Sequence, residues 1–336
     1  NNVERVLVTG GTGFIGHHLV DHLLMNTDWE FVCLDRLDTS GTLYRLHDVL
    51  HGERGSNYPD RIKRVSFVYH DLKSEINSFV ANKIGKVDYI LHLAAGSHVD
   101  RSIEDPMSFV MDNVVGTTNL LNFARTLDGL ELFVNFSTDE VFGPAPEGVN
   151  YKEWDRYNST NPYSASKAGA EEMCLAFANT YRLPLIQTHC MNVFGERQHP
   201  EKFIPMCVSK VLKGDKITIH SSPEGEPGKR HYIHARNTSA AVLFLMQGKW
   251  DQREKYNIVG EKEVDNLQLA QLIAEYVGKP LNYELVDFHS SRPGHDLRYS
   301  LDGEKMRSIG WELPVNFEKS LESVVHWTLK NKSWLM

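Results

Sequence analysis

The strongest constraint on the fold lies near the start of the chain. An apolar, β-branched run, Arg5–Thr9, passes directly into Gly10-Gly11-Thr12-Gly13-Phe14-Ile15-Gly16, and helical apolar spacing follows over Ile15–Leu24. Glycines at 10, 13 and 16 therefore sit where a strand must turn into a helix. Without Cβ atoms the chain can turn sharply there, approach a pyrophosphate with its backbone and pack the new helix closely on a sheet, while the helix N-terminus presents unpaired N–H groups. A lone glycine triplet signals only a turn, but here the flanking elements fit. Asp35 closes the second apolar run, nineteen positions beyond Gly16, the place of a carboxylate that receives adenosine ribose hydroxyls. Gly10, Gly13, Phe14, Ile15, Gly16, Asp35 and Arg36 are thus expected to hold a dinucleotide. A carboxylate at Asp35 repels the extra phosphate of NADP, so NAD is the expected cofactor. The next residue, Arg36, argues the other way if it pairs with a 2′-phosphate, and is neutral if it stacks on adenine or stays solvated.

The same alternation continues. Apolar runs recur at Glu30–Leu34, Val65–Tyr69, Tyr89–Leu93, Leu132–Phe136 and Leu185–Thr188, separated by helical spacing such as Ser108–Leu127 and Ala165–Tyr181. Strand–helix alternation predicts an α/β fold: a Rossmann-type doubly wound parallel sheet with a smaller C-terminal substrate-binding lobe. The expected boundaries are residues 1–191 for the NAD-binding domain, joined by about 231–260, and 192–336 for the mainly substrate-binding part. That return is suggested by Ala235–Gln247 and the strand-like Lys255–Val259. Further helices are expected at Asn266–Val277 and Phe317–Lys330.

Composition removes several classes of function. A formal net charge of −8 argues against gripping DNA or RNA, which needs clustered cations. No apolar run reaches the length of a bilayer span, and the opening residues lack a signal-peptide profile, so neither a membrane nor a secreted location is expected and the chain is read as cytoplasmic. Cys33, Cys174, Cys190 and Cys207 form no C-x-x-C pair and are read as reduced packing residues. No metal site is expected, and His17 and His18 are read as helix-surface residues.

A second group of residues suggests chemistry. In Asn161-Pro-Tyr163-Ser-Ala-Ser-Lys167, Tyr163 and Lys167 stand four apart on one helix face. Lys167 would hold a nicotinamide ribose and lower the Tyr163 pKa, so that a phenolate takes the proton of a sugar hydroxyl as hydride leaves. The strand end Ser137-Thr138-Asp139-Glu140-Val141-Phe142-Gly143 adds a hydroxyl and two carboxyls. Neighbouring residues of a regular strand face opposite ways, so Asp139 and Glu140 can serve one site only if the strand has already ended.

Taken together, TGGTGFIG, LHLAAGSHVDRSI, STDEVFG, YSASK, HPEKFIP and RPGHDLRYSLDGEKMRSIGW resemble the dTDP-glucose 4,6-dehydratases, which are extended short-chain dehydrogenase/reductases. The likeness covers nearly the whole chain. It implies a lyase that oxidises a nucleoside-diphosphate hexose at C4, eliminates water across C5 and C6, and reduces C6, leaving NAD unconsumed. Tyr163 and Thr138 would assist the oxidation, Glu140 would take the C5 proton and Asp139 would protonate the departing hydroxyl. Asp71, Leu72, Leu93, Ala94 and Ala95 match cofactor positions. Ser97, Asn192, Lys202, Phe203, Arg230, Asn266, Arg292 and His295 match substrate positions. The cationic members suit a diphosphate.

Some residues depart from the family pattern. Gly96 stands where a bulkier polar residue is common, Val193 replaces a second Asn, Gly195–His199 lacks the usual aromatic, and Ser291 stands in place of Asp. These leave the reaction intact and weaken the choice of dTDP-glucose over UDP-, CDP- or GDP-linked hexoses. A nucleotide-sugar 4-epimerase or glucuronate decarboxylase shares the Tyr–Lys chemistry, but an epimerase has no need of the Asp139–Glu140 pair. A non-catalytic NAD-binding regulator is a third reading. A homodimer is expected through the helices carrying Val110, Val114, Leu120, Met173, Leu175 and Phe177.

Overall fold

The computed structural model describes residues 3–38, 41–52, 56–96, 99–249, 251–287 and 298–336. Its main sheet has seven strands: β1 (Arg5–Thr9), β2 (Glu30–Asp35), β3 (Val65–Tyr69), β4 (Tyr89–His92), β5 (Leu132–Thr138), β6 (Leu185–Cys190) and β10 (Lys255–Ile258). They lie in the order β10-β6-β5-β4-β1-β2-β3. The pairs β1–β2, β1–β4, β2–β3 and β4–β5 are all parallel. Strands β4, β5 and β6 bury nearly every residue, as expected of a sheet covered on both faces. The architecture is the Rossmann-type α/β fold.

Strand order reverses between β1 and β4, with β2 and β3 to one side and β5 and β6 to the other. In such sheets ligands bind beyond the carboxyl ends at that switch point. Register aligns Thr9 with both Leu34 and His92, so the turn after β1, the end of β2 and the loop after β4 emerge side by side.

Two compact units make up the chain. The first comprises Asn1–Val141, Arg156–His189 and Val242–Tyr256; the second comprises Phe142–Asp155, Cys190–Ala241 and Asn257–Met336. The core of the first joins Leu7, Val32, Ile90 and Phe133 of the sheet to Leu120, Leu121, Cys174 and Phe177 of the helices. The second has a three-stranded sheet in the order β11-β9-β7, from β7 (Asn192–Phe194), β9 (Lys229–His234) and β11 (Glu263–Asp265). Strands β8 (Ile217–Ser221) and β12 (Tyr283–Asp287) pair separately. Helices Phe203–Lys213, Asn266–Val277 and Phe317–Lys330 meet over Ile204, Val208, Leu269, Ile273, Leu321 and Val325.

Three expectations are corrected. The single helix over Ser108–Leu127 is instead an α-turn at Pro106–Phe109, a π-helical stretch at Val110–Val115 and an α-helix at Gly116–Ala124. The Gly116 N–H reaches back five residues to Met111, and apolar spacing alone cannot reveal such a widened turn. His17 and His18 are buried, because helix Phe14–Asn26 hides most of its first two turns; their rings lie 4.1 Å apart, and that of His18 meets Phe14 edge-on. Leu120 and Phe177 are buried in the core of their own unit, so these two do not offer a surface to a partner, whereas Met173 packs against that core and is only partly buried.

Candidate active site

The glycine turn is as tight as its sequence implies. Gly10 adopts φ +73° and donates its N–H to Leu34 O at 2.8 Å. A Cβ at Gly16 would stand 2.1 Å from Gly10 O, so no larger residue fits where the helix crosses the loop. Gly13 caps helix Phe14–Asn26 without a side-chain partner. That combination leaves a cradle of the kind a pyrophosphate occupies. Asp35, buried at the end of β2, accepts the Thr12 hydroxyl and the Leu37 N–H, the latter at 2.9 Å. Its carboxylate is thereby fixed beside the turn, and the residues present fit a dinucleotide.

The loop after β4, with Leu93, Ala94 and Ala95, is tied to β1 through one hydroxyl. Thr9 Oγ1 accepts the N–H groups of Leu93 and Ala94 at 3.1 and 3.2 Å, so its own proton is left for His92 Nδ1 at 2.7 Å. His92 then donates from Nε2 to Thr117, 2.9 Å away. Burial, and secondly the charge of Lys167, push the His92 pKa down to about 3, so the imidazole is neutral and serves as a fixed strut. Asp71 follows β3, lies 3.5 Å from Lys73 and precedes Leu72, whose carbonyl accepts from Asn119 at 2.6 Å. Arg36 is paired and only partly exposed: Asp38 and Asp112 both bind its guanidinium.

On the other side of the switch point, β5 ends at Thr138 and a 3₁₀ turn begins at Asp139, running to Phe142. The two carboxyl residues therefore leave the strict alternation of the strand. Thr138 donates to Asp139 Oδ1 and accepts the Glu140 N–H, both at 3.2 Å. Asp139 is buried and Glu140 is the more accessible. Gly143 follows at φ +78°, a conformation that favours glycine.

Helix Pro162–Tyr181 starts with an Asn161 cap, whose side chain accepts the Ser164 N–H, and proline in its first turn. Lys167 is 7% exposed and donates to Phe136 O at 2.8 Å, joining this helix to the strand that bears Thr138. Tyr163, on the same face, is half-buried, with its N–H on Ser102 Oγ and its ring edge-on to Phe109.

Sequence reading missed Asn113. From the π-helical stretch it accepts the Gly96 N–H at 2.8 Å, donates to Gly96 O at 3.1 Å, and donates to Ser166 Oγ at 2.8 Å; Ser166 in turn donates to Tyr163 O. One side chain thus fixes both the loop after β4 and the first turn of the tyrosine helix. A polar residue inside an apolar helical pattern was the available signal. Also missed was a buried network below Thr138. Glu171 accepts from Ser137 at 2.8 Å and from Tyr157 at 2.5 Å, with His189 Nε2 at 2.9 Å and Lys255 Nζ at 3.4 Å. Burial acts to raise the Glu171 pKa, but His189, Lys255 and Tyr157 outweigh it and hold it down at about 2.

In the second unit, Asn192 and Arg230 lie on the three-stranded sheet, and Asn266 opens the helix that follows β11. Asn192 pairs with Tyr232, whose hydroxyl donates to Asn266 at 2.9 Å, and the Arg230 guanidinium lies 4.3 Å from the Tyr299 ring centre. Lys202, exposed, and Phe203 open the helix over Phe203–Lys213. Ser97, Arg292 and His295 lie outside the described residues. No group of metal-ligating side chains is found among the described residues.

Comparison with known proteins agrees with these motifs. The family model for GDP-mannose 4,6 dehydratase matches residues 7–324. A dTDP-glucose 4,6-dehydratase of Escherichia coli is 34% identical, over 98% of this chain and 95% of its own. A low-salt glycan biosynthesis protein of Haloferax volcanii is 37% identical, over 96% and 98%. Among solved structures, a dTDP-glucose 4,6-dehydratase of Streptomyces venezuelae with NAD bound matches with a TM-score of 0.86 at 34% identity, over 98% of each chain. A UDP-glucose 4-epimerase of Thermus thermophilus with NAD matches at 0.83 and 28%, over 96% and 98%.

Proposed function

This chain belongs to the GDP-mannose 4,6-dehydratase family, and from that premise we propose that it is an NAD-dependent lyase converting a nucleoside-diphosphate hexose, dTDP-glucose first among them, to its 4-keto-6-deoxy product. The observation that carries this reading is the break at the end of β5, which releases Asp139 and Glu140 from strand alternation beside Thr138. An epimerase shares the fold and the Tyr–Lys pair, yet its chemistry has no use for a second carboxyl.

The residue roles follow from what each step needs. NAD held by the glycine turn and Asp35 would supply the hydride acceptor for oxidation at C4 and the hydride donor for reduction at C6. Tyr163 takes the C4 hydroxyl proton, with Thr138 hydrogen-bonded to the same oxygen, and the Lys167 cation favours the phenolate. The resulting ketone acidifies the C5 hydrogen, which Glu140 removes, while Asp139 gives a proton to the departing C6 hydroxyl; Glu140 returns a proton to C5 as hydride reaches C6. Gly10, Gly13, Phe14, Ile15, Gly16, Asp35, Asp71, Leu72, Leu93, Ala94 and Ala95 are assigned to the cofactor. Ser97, Asn192, Lys202, Phe203, Arg230, Asn266, Arg292 and His295 are assigned to the substrate, the arginines and lysine to its diphosphate. We further assign the chain as a cytoplasmic homodimer; no described helix is long and apolar enough to cross a membrane.

The test is incubation of the purified protein with dTDP-, UDP-, CDP- and GDP-linked hexoses, followed by mass measurement. Loss of one water from the dTDP-glucose sample supports the assignment. Loss from another nucleotide alone moves the specificity. An isomer of unchanged mass in every sample would replace dehydration with epimerisation.

A further inference from the structure

Arg36 occupies the position from which a cation would welcome a 2′-phosphate, directly after Asp35. All three of its guanidinium nitrogens nevertheless donate to carboxylates. Nε and Nη2 donate to Asp38 Oδ2 at 3.0 and 2.8 Å, and Nη1 and Nη2 donate to the two oxygens of Asp112 at 2.5 and 2.9 Å. The second pair is a two-pronged contact from β2's end to the π-helical stretch, matching the fork of a guanidinium to a carboxylate. Asp71 stands 3.8 Å from Nη1 as well. The ion pair is partly enclosed, with 11% of the Asp112 side chain and 26% of that of Arg36 exposed, so water screens it less than a surface pair.

Gly96 belongs to this arrangement. A Cβ built there would lie 3.2 Å from Asp112 Oδ2 and 3.1 Å from the Phe109 ring. Where the family pattern has a bulkier side chain, this chain has none, and the space lies against the carboxylate that binds Arg36. Asn113, the next residue, fixes Gly96 at both backbone atoms, so loop and carboxylate are held by one turn of helix.

We propose that Asp112 and Asp38 are positioning residues that decide which dinucleotide the chain accepts, by clamping Arg36 so that it cannot turn to a 2′-phosphate. Asp35 repels that phosphate directly; the clamp removes the one cation placed to offset the repulsion. The proposal rests on the reading that Asp35 faces the adenosine ribose of NAD.

The experiment is displacement. Purified full-length protein carrying its NAD is incubated with rising NADP, and the retained nucleotides are separated and quantified. In Asp112→Asn together with Asp38→Asn, the NADP needed to displace half of the NAD should fall by about tenfold or more, the worth of one charge-assisted hydrogen bond to phosphate. Adding Arg36→Ala to that variant should abolish the gain. An unchanged displacement curve overturns the proposal, and so does a gain that survives Arg36→Ala, which would mean that removing negative charge alone was enough. Asp112→Asn by itself, a change of equal shape at a partly exposed site, carries the same test if the double variant does not fold, with a smaller fall expected. Wild-type protein that carries and binds neither nucleotide would defeat the NAD reading and this inference together, whereas bound NAD with no response to the variants defeats the inference alone.

Discussion

Asp139 and Glu140 are adjacent in sequence but differ in setting. The first is buried and accepts the Thr138 hydroxyl; the second is more open, and its backbone N–H is turned to that same hydroxyl. Dehydration needs one ionised and one protonated carboxyl at the same moment, and unlike surroundings are what separate two such groups. Glu140→Gln should therefore still give reduced cofactor in a single turnover, while losing both water release and exchange of the C5 hydrogen with heavy water. Asp139→Asn should keep the exchange and slow water loss by about 10²- to 10⁴-fold, the usual contribution of a positioned acid. The opposite pattern would swap the two roles. Tyr163→Phe removes only the phenolic oxygen, so turnover should drop over the same range of about 10²- to 10⁴-fold while bound NAD, measured after denaturation, is unchanged.

At the level of elements, Glu171 joins helix Pro162–Tyr181 to β5 through Ser137, to β6 through His189 and to β10 through Lys255. All these groups are buried, and removing one charge would strand the others. Glu171→Gln is expected to destabilise the protein by about 3–5 kcal/mol at neutral pH. Because the carboxyl is held at about 2 against an ordinary 4.5, its contribution is complete above about 4.5 and is lost as pH falls toward 2. The stability difference between wild type and variant, taken from urea midpoints, should shrink over that window; a gap that stays constant down to pH of about 3 would show that the ionised form is not what stabilises. This network also marks what a sequence can reveal. The strands and the glycine turn were legible because each depends on local spacing and on neighbours within a few residues. Thr138, Tyr163 and Lys167 were legible as motifs. The partners of Glu171 lie 34 and 14 residues before it, at Ser137 and Tyr157, and 18 and 84 residues after it, at His189 and Lys255, and no local pattern connects them. Asn113 and Asp112 were hidden for another reason: over Ser108–Leu127 the apolar spacing averages to one helix, and the extra residue of the π-turn, which sets where these two side chains point, leaves that average intact.

For the whole molecule, the decisive surface is on the first unit. Ile103, Met107, Val110 and Met111 are exposed along one short stretch, Met107 to 65%. Single exposed apolar residues are ordinary, but a run of them on consecutive turns is the kind of patch that marks an interface. Of the residues first expected to face a partner, Leu120 and Phe177 are spent on the core, so the patch proposed for a two-fold contact is the exposed one toward the start of that stretch. In a two-fold dimer the same patch faces its own copy, and each methionine then buries apolar surface twice over, once per protomer. A stable interface of this kind needs about 1,200 Å² in total, which four side chains supply only with their neighbours, so charge placed at its centre should be disruptive. Light scattering at micromolar concentration should give twice the chain mass for wild type and the single-chain mass for Met107→Glu with Met111→Glu. The monomeric variant should still carry NAD, because the glycine turn, Asp35 and the loop after β4 all come from one chain. A wild-type monomer, or a dimer indifferent to both substitutions, would remove this surface from consideration.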